Sequence, residues 1–183
     1  MSTKADYSDV LRFWFEELEP EQHFRKSARV DDLIHERFAA VHAAASHGEL
    51  VAWRDSAAGR LAEIIVLDQF SRNLYREDAR AYACDGMALV LAQEAVRAGV
   101  DRELPLVRRA FFYLPYEHSE SLLVHQTALK LFSQPGLEDN LKFERKHRAV
   151  IERFGRYPAR NAARGLTSTM EEAAFLASNP SGF

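Results

Sequence analysis

Five polar residues follow an apolar helical stripe and are candidates for a binding site. Leu61, Ile64 and Ile65 recur at the spacing that places side chains on one helical face, and the same spacing continues to Asp68 and Arg72. Because an unpaired charge is costly to bury, a charged pair on this face indicates either a structural ion pair or the floor of a site. The set comprises Asp68, Gln69, Arg72, Asn73 and Arg76.

These residues admit two interpretations. In the first, Asp68 and Arg72 form a buried ion pair, and the neighbouring amides satisfy backbone ends at the end of the helix. In the second, Arg72 and Arg76 bind a carboxylate or a phosphate while Asp68 orients one guanidinium. Arginine suits this role because its donors form a planar fork.

A histidine flanked by acids forms the second candidate. Glu117, His118, Ser119 and Glu120 follow Pro115. This proline predicts a helix break or kink near residue 114, because it cannot donate an amide bond. A histidine beside carboxylates can act as a general base or as a metal ligand. The structural alternative is a helix-capping histidine with solvated acids.

Glu144 and His147 have the three-residue offset used by carboxylate-bridged di-iron bundles. Such bundles need two copies of this motif, and the sequence has one, so no metal site is expected. His147 lies on the predicted apolar stripe of its helix, where a core histidine with one satisfied hydrogen bond is the alternative.

The most basic stretch of the chain surrounds Pro158. Arginine-rich turns can hold phosphate or carboxylate groups, although nearby acids such as Glu144 or Glu152 could instead neutralise this one. Because the chain as a whole is not basic, the stretch is poor evidence for nucleic-acid binding. Its polar members are Arg153, Arg156, Arg160, Asn161 and Arg164.

The elements that position these candidates are predicted to be helices. No stretch alternates strictly between apolar and polar residues, so strands are not expected. Short links between amphipathic segments predict an all-α fold, with antiparallel helix pairs stacked as a compact bundle or a short solenoid. The predicted helices cover residues 8–17, 27–47, 61–76, 84–98, 106–116, 119–132 and 138–154, and one more follows Ser168.

Caps and inward faces complete this prediction. Ser8 is expected to cap the first helix, and Ser168 with Glu171 forms a capping-box signature for the last. The inward residues of helix 119–132 are predicted to be Leu122, Leu123, Gln126 and Leu129, together with Phe132.

Composition bounds the class of protein. A chain of 183 residues with 47% hydrophobic residues is expected to form one domain over residues 1–183. The net charge of −3 gives no reason to expect nucleic acid or an anionic membrane as partner. One cysteine, Cys84, and the lack of a signal-peptide run or a membrane-spanning apolar stretch predict a cytoplasmic location. No phosphate-binding loop or catalytic motif is present, and no cofactor is expected.

Several long strings resemble the bacterial family catalogued as domain of unknown function 924. They read VLRFWF at 10–15, LDQFSRNLYR at 67–76 and YLPYEHSE at 113–120. Two more, RFGRYPARN at 153–161 and STMEEAAFL at 168–176, follow in the same order. The resemblance covers nearly the whole chain. It implies an all-helical, tetratricopeptide-like fold with no established activity.

The polar members of these strings are hypothesised to converge in one pocket. The leading hypothesis is a binding protein that receives a small anionic ligand or an acidic peptide or protein group; its oligomeric state is left open. One alternative is a hydrolase or metal-dependent enzyme that uses His118 or His147 with Asp68 or Glu117; another is a purely structural role. The pocket residues, besides Trp14, are expected to be Asp68, Gln69, Arg72, Asn73, Arg76, Glu117, His118, Arg156, Arg160 and Asn161.

Overall fold

The structure, a computed structural model, describes residues 6–183, which form helices and turns without a strand. The predicted all-α class is therefore confirmed, and adjacent helices pack compactly against each other. The likeness to tetratricopeptide repeats stays a prediction. The α-helices are α1 (Tyr7–Arg12), α2 (Ala28–Ser46), α3 (Ala57–Ile65), α4 (Ser71–Leu74), α5 (Asp85–Arg97), α6 (Leu106–Glu117), α7 (Leu122–Phe132), α8 (Glu138–Phe154) and α9 (Met170–Ser178).

Short 3₁₀ helices and two wide π-helical turns join these elements. The π turns are Phe13–Glu17, which extends α1, and Val66–Phe70, which links α3 to α4. The 3₁₀ helices are Pro20–Gln22, Val51–Asp55, Ala79–Tyr82, Val100–Glu103 and Pro158–Arg160. Within residues 6–183, no helix combines the length and the apolar character that crossing a bilayer requires.

The centre of the fold is the run from α3 into the first residue of α4. Every residue from 61 to 71 is buried, because α1, α2, α5 and α6 all pack on this segment. Phe70 contacts the rings of Phe13, Trp14 and Phe38, and these aromatic contacts tie α1 and α2 to the centre. A helix that is buried on all sides must be apolar on all sides, which makes Asp68 and Gln69 exceptions that need partners.

The prediction of an uninterrupted helix over 61–76 is wrong in its second half. The π turn Val66–Phe70 inserts a wider turn, and α4 then ends at Leu74. Arg76 therefore lies beyond the helix. Isolated π turns of this kind occur frequently at functional sites.

Near residue 114 the prediction of a helix break is wrong, because α6 runs through Pro115 to Glu117. The alternative of a kink there stays a prediction. Pro115 removes one amide donor, but the helix resumes its bonding at once, with the His118 amide donating to the Leu114 carbonyl at 2.9 Å. Residues 110–117 are all buried, and this packing offsets the local cost of the proline. Glu117 thus ends α6, and His118 is its C-cap.

Two predicted caps are displaced along the chain. Asp6 rather than Ser8 caps α1, because its carboxylate accepts from the Ser8 amide at 2.9 Å. The capping box of α9 lies one residue later than predicted, and pairs Thr169 with Glu172. The predicted spans of α2 and α8 are confirmed.

The inward face of α7 differs from the predicted one. This helix starts at Leu122, and its buried residues are His125, Ala128 and Phe132. Leu123, which was expected to face inward, is 74% exposed. The reason is tertiary: His125 pairs with Glu144 of α8, and this pairing sets the rotation of α7.

Candidate functional site

Two adjoining cavities form a cleft where the end of α4, the end of α6, α8 and the segment 181–183 meet. One cavity, of about 350 Å³, has four cationic and two tyrosine side chains in its lining, and we call it the basic cavity. The other, of about 300 Å³, includes several apolar and aromatic side chains, and we call it the aromatic cavity. Both are lined by Arg72, Arg76, His118, His147 and Phe183, so they form one cleft.

Seven of the ten predicted pocket residues line this cleft. They are Gln69, Arg72, Asn73, Arg76, Glu117, His118 and Arg160. Asp68 is 1% exposed, lies directly behind the wall, and contacts three of these residues, Gln69, Arg72 and His118.

The predicted convergence is wrong for Arg156, Asn161 and Trp14. Arg156 donates to both carboxylate oxygens of Glu172, at 2.8 and 3.0 Å, and Asn161 donates to Ser168 and Glu172. These contacts join the 158–160 turn to the start of α9. Trp14 is fully buried and stacks on His23, within the aromatic core.

Arg72 is fixed by two carboxylates. It donates to the Asp68 carbonyl at 2.6 Å, lies 3.3 Å from the Asp68 carboxylate, and forms a two-point contact with Asp85 at 2.9 and 3.1 Å. Burial opposes its charge, but Asp68 and Asp85 together raise the pKa of Arg72 above its ordinary value. Arg72 is therefore charged and held rigidly with one edge on the cleft.

Arg160 lies on the other side of Asp85. It donates to Asp85 at 3.2 Å and to the His118 carbonyl at 2.9 Å. Its guanidinium carbon lies 4.7 Å from the ring centroid of Tyr82 and 4.5 Å from that of Tyr157. Asp85 thus contacts both guanidinium groups. Arg72 also has the Asp68 carboxylate, and Arg160 lies 3.9 Å from Glu120 Oε1.

Arg76 is held by hydrogen bonds to Asp31 of α2. Its Nε and Nη2 atoms donate to the Asp31 carboxylate, Nη2 at 2.7 Å, and Asn73 donates to the same carboxylate at 2.8 Å. The Nη1 atom of Arg76 has no partner within residues 6–183. Since a guanidinium carries five N–H donors, Arg76 keeps donors for a ligand.

His118 and Asp68 form a hydrogen-bonded pair at the cleft wall. His118 Nδ1 lies 2.7 Å from Asp68 Oδ1, and Gln69 donates to the other carboxylate oxygen at 2.5 Å. Burial opposes the Asp68 charge, but Arg72 and His118 lower the pKa of Asp68 below its ordinary range. The ionised carboxylate accepts, so Nδ1 carries the proton and Nε2 is left as an acceptor, with no partner in the described part of the chain.

The protonation of His118 follows from its surroundings. Burial, and then the charge of Arg72, lower the pKa of His118 below 6.5 despite the opposing effect of Asp68. At neutral pH the imidazole is therefore uncharged, and its Nε2 atom can accept a proton.

His147 and Glu117 line the cleft as uncharged groups. His147 Nδ1 donates to the Phe143 carbonyl at 2.9 Å, and burial lowers the pKa of His147 to about 3. Burial, together with Glu144 and Asp68, raises the pKa of Glu117 well above 4.5. Glu117 therefore adds little negative charge to the cleft.

A second histidine and carboxylate pair, absent from the predicted site, lies behind the cleft. His125 Nδ1 is 2.8 Å from Glu144 Oε1, and its Nε2 is 2.8 Å from the Ser119 carbonyl. The Tyr157 hydroxyl, 3.3 Å from the same ring, donates to the Glu117 carbonyl at 2.5 Å. Only the polar residue types could have suggested this network, because its members are far apart in sequence.

The Glu144 and His147 motif does not form a metal site in this structure. Glu144 turns to His125 and His147 turns to the cleft, so the two side chains diverge. Among residues 6–183, no group of three or more histidine, cysteine, aspartate or glutamate side chains is arranged to hold a metal ion.

The chain resembles a solved structure over almost its whole length. The "Structure of Protein of Unknown Function ATU0120 from Agrobacterium tumefaciens" has 38% sequence identity, a TM-score of 0.89 and coverage of 94% of this chain and 97% of that one. The comparison with curated proteins found no match. Residues 10–180 match the family described as "Bacterial protein of unknown function (DUF924)". The chain therefore belongs to the DUF924 family of bacterial proteins.

Proposed function

We propose that the cleft binds a small anionic ligand or an acidic peptide group. The observation that carries this proposal is the distribution of charge on the cleft wall. Two acids line the cleft, Glu77 and Glu117, and burial favours the uncharged form of the second by raising its pKa. The cationic residues that line it are Arg25, Lys26, Arg72, Arg76 and Arg160.

The neutralising acids lie behind the arginines. Asp31 binds one edge of the Arg76 guanidinium, and Asp85 binds one edge of the Arg72 guanidinium. Neither acid lines either cavity. These hydrogen bonds restrain the arginine side chains in the free protein, so less conformational entropy is lost when a ligand binds. Arg76, with its unpartnered Nη1, is the residue on which we expect an anion to depend most.

Titration with inorganic phosphate and with acetate tests this proposal. We expect saturable binding to the wild-type protein, measured by calorimetry at low ionic strength, and a loss of about tenfold in affinity for Arg76→Ala. The matched control is Arg37→Ala, because Arg37 also forms a two-point pair with an acid, Glu17, and has a similar exposed fraction, 31% against 29%. Equal affinities of the two variants would contradict an anion site in the cleft.

A second function, hydrolysis, is supported by the His118 and Asp68 pair. Asp68 holds the Nδ1–H of His118, and Nε2 is placed at the cleft wall to accept a proton from a bound water. The deprotonated water would attack an electrophilic carbonyl or phosphoryl centre bound against the arginines. Water is the nucleophile, the bond from that centre to the leaving group breaks, and the proton taken up by His118 Nε2 passes to the departing group.

Hydrolysis of p-nitrophenyl phosphate and p-nitrophenyl acetate tests this second function. We expect His118→Gln to lower the rate by about 100-fold or more, while the exposed His35→Gln leaves it unchanged. Activity should fall on the acid side only below pH 6.5, because the pKa of His118 is lowered by burial. A rate that is the same in both variants would contradict the general-base role and leave the anion site untouched.

A further inference from the structure

The cleft combines a cationic wall with an aromatic wall. Phe24 and Phe143, which line the aromatic cavity, are 68% and 47% exposed. Exposed aromatic side chains that rim a common cavity are typical of a ligand site. Arg72 and Arg76 belong to the same cavity wall, so an apolar group bound here would have a cationic neighbour on the same molecule.

One ring already occupies a defined position in this cleft. The ring of Phe183 lies against the imidazole of His147, with centroids 4.1 Å apart and planes 34° apart. It also meets Phe143 edge to face at 6.0 Å. His147 and Phe143 therefore form a site that accepts a flat aromatic ring, which we call the ring seat.

The segment that carries Phe183 is held on the cleft by packing, through this ring and through the buried Gly182. Its hydrogen bonds stay local: the Gly182 amide donates to the Asn179 carbonyl at 2.8 Å, and the Ser181 hydroxyl donates to the Phe183 carbonyl at 3.0 Å. Gly182 has φ +90° and approaches Ala159 so closely that a Cβ atom would lie 3.0 Å from it. A segment held in this way can leave the ring seat without breaking a polar contact to the wall of the cleft.

We propose that the ligand is an aromatic anion, whose charged group binds Arg72 and Arg76 and whose ring displaces Phe183 from the ring seat. This inference rests on the proposed anion site and names the ligand class it takes. Aryl phosphates and aromatic carboxylates share the required chemistry, which is a flat ring next to an anionic group. Phe183 is then an internal competitor for the ring and has no effect on a ligand that lacks one.

Paired titrations with ligands that differ only in the ring test the proposal. We expect phenyl phosphate to bind the wild-type protein about tenfold more tightly than inorganic phosphate, and phenylacetate to exceed acetate similarly. If the phosphate pair shows this gain and the acetate pair does not, the ligand is an aryl phosphate, and the reverse result indicates an aromatic carboxylate. If neither ring-bearing ligand exceeds its parent anion, the aromatic class is wrong while the anion site stands. If none of the four anions binds, the proposed function itself fails.

Substitution of Phe183 separates a competitor from a wall residue. For Phe183→Ala we expect phenyl phosphate to bind several-fold more tightly than to the wild-type protein, with the affinity for inorganic phosphate unchanged. Weaker or unchanged phenyl phosphate binding would overturn the competitor role. Phe183→Leu, which keeps an apolar side chain without a ring, repeats the test if the alanine variant loses helical circular dichroism. The matched control is Phe175→Ala, because Phe175 packs on Phe154 outside the cleft, and we expect it to change neither affinity.

Discussion

This protein has two histidine and carboxylate pairs whose nitrogen-to-oxygen distances are nearly equal but whose surroundings differ. His118 is 2.7 Å from Asp68 at the cleft, and His125 is 2.8 Å from Glu144 in the interior. Both ring nitrogens of His125 have partners, and its side chain is fully buried. His118 is 15% exposed, and its Nε2 has no partner in the described residues. A ring nitrogen without a hydrogen-bond partner, on a residue that lines a cavity, therefore distinguishes the candidate site from the structural contact. The histidine and carboxylate pair alone does not.

The largest expected effect separates the two pairs by stability. His125→Ala removes one member of a fully buried pair and should lower the free energy of unfolding by about 3–5 kcal/mol. His118→Ala should cost about 1–2 kcal/mol, because Arg72 and Gln69 still contact Asp68. Urea denaturation of both variants measures the difference, and equal losses would remove the distinction between the pairs.

The second-largest expected effect is a pH dependence of stability that comes from Glu117, which lies between the two pairs. Its pKa in the folded protein is raised well above 4.5, so the folded state holds a proton that the unfolded state releases. The stability from this group is therefore present below pH 4.5 and is lost as the pH rises through the folded pKa, with a slope of at most about 1.4 kcal/mol per pH unit.

Glu117→Gln isolates this contribution, because it removes the titrating group and keeps a side chain of similar shape. Thermal or urea unfolding of the wild type and the variant should agree most closely near pH 4 and diverge as the pH rises, with the variant the more stable. A difference that does not change with pH would show that Glu117 is not held in its protonated form.

The smallest expected effect lies in the contact between the cleft wall and the interior network. Tyr157→Phe removes the hydroxyl that donates to the Glu117 carbonyl at 2.5 Å, and it should cost about 1 kcal/mol of stability. Tyr113→Phe is a control, because its hydroxyl donates to Asp101 in the interior away from the cleft. We expect similar stability losses in both variants, but a change in ligand affinity for Tyr157→Phe alone.

Much of the fold could be predicted because its signals are local. Ser27 and Gly155 bound α2 and α8 through cap geometry that depends on neighbouring residues, and these helices lie where the sequence indicates. The π turn before Ser71 and the continuous helix through Pro115 depend instead on burial among distant residues. Such tertiary effects outweigh local propensity and cannot be predicted from spacing.

The candidate site could be predicted where its residues give a local signal in the sequence. Asp68 and Arg72 stand out because charged groups continue an apolar stripe, and His118 stands out because acids flank it. The structure brings these residues together. Asp85 was not anticipated, although it binds both Arg72 and Arg160, because its role requires contacts across 13 and 75 residues of sequence. Arg156 and Asn161 are assigned to the pocket as polar members of a family string, and Glu172, which binds both, lies in a later helix.

The most direct test of the anion site follows the histidine rings during a phosphate titration. Phosphate bound to Arg72 and Arg76 would lie beside His118, so its imidazole resonances in a nitrogen-15 correlation spectrum should move and saturate. The resonances of His125, which is fully buried behind the cleft, should stay in place. Unchanged His118 resonances at saturating phosphate, or equal movement of His118 and His125, would contradict the account.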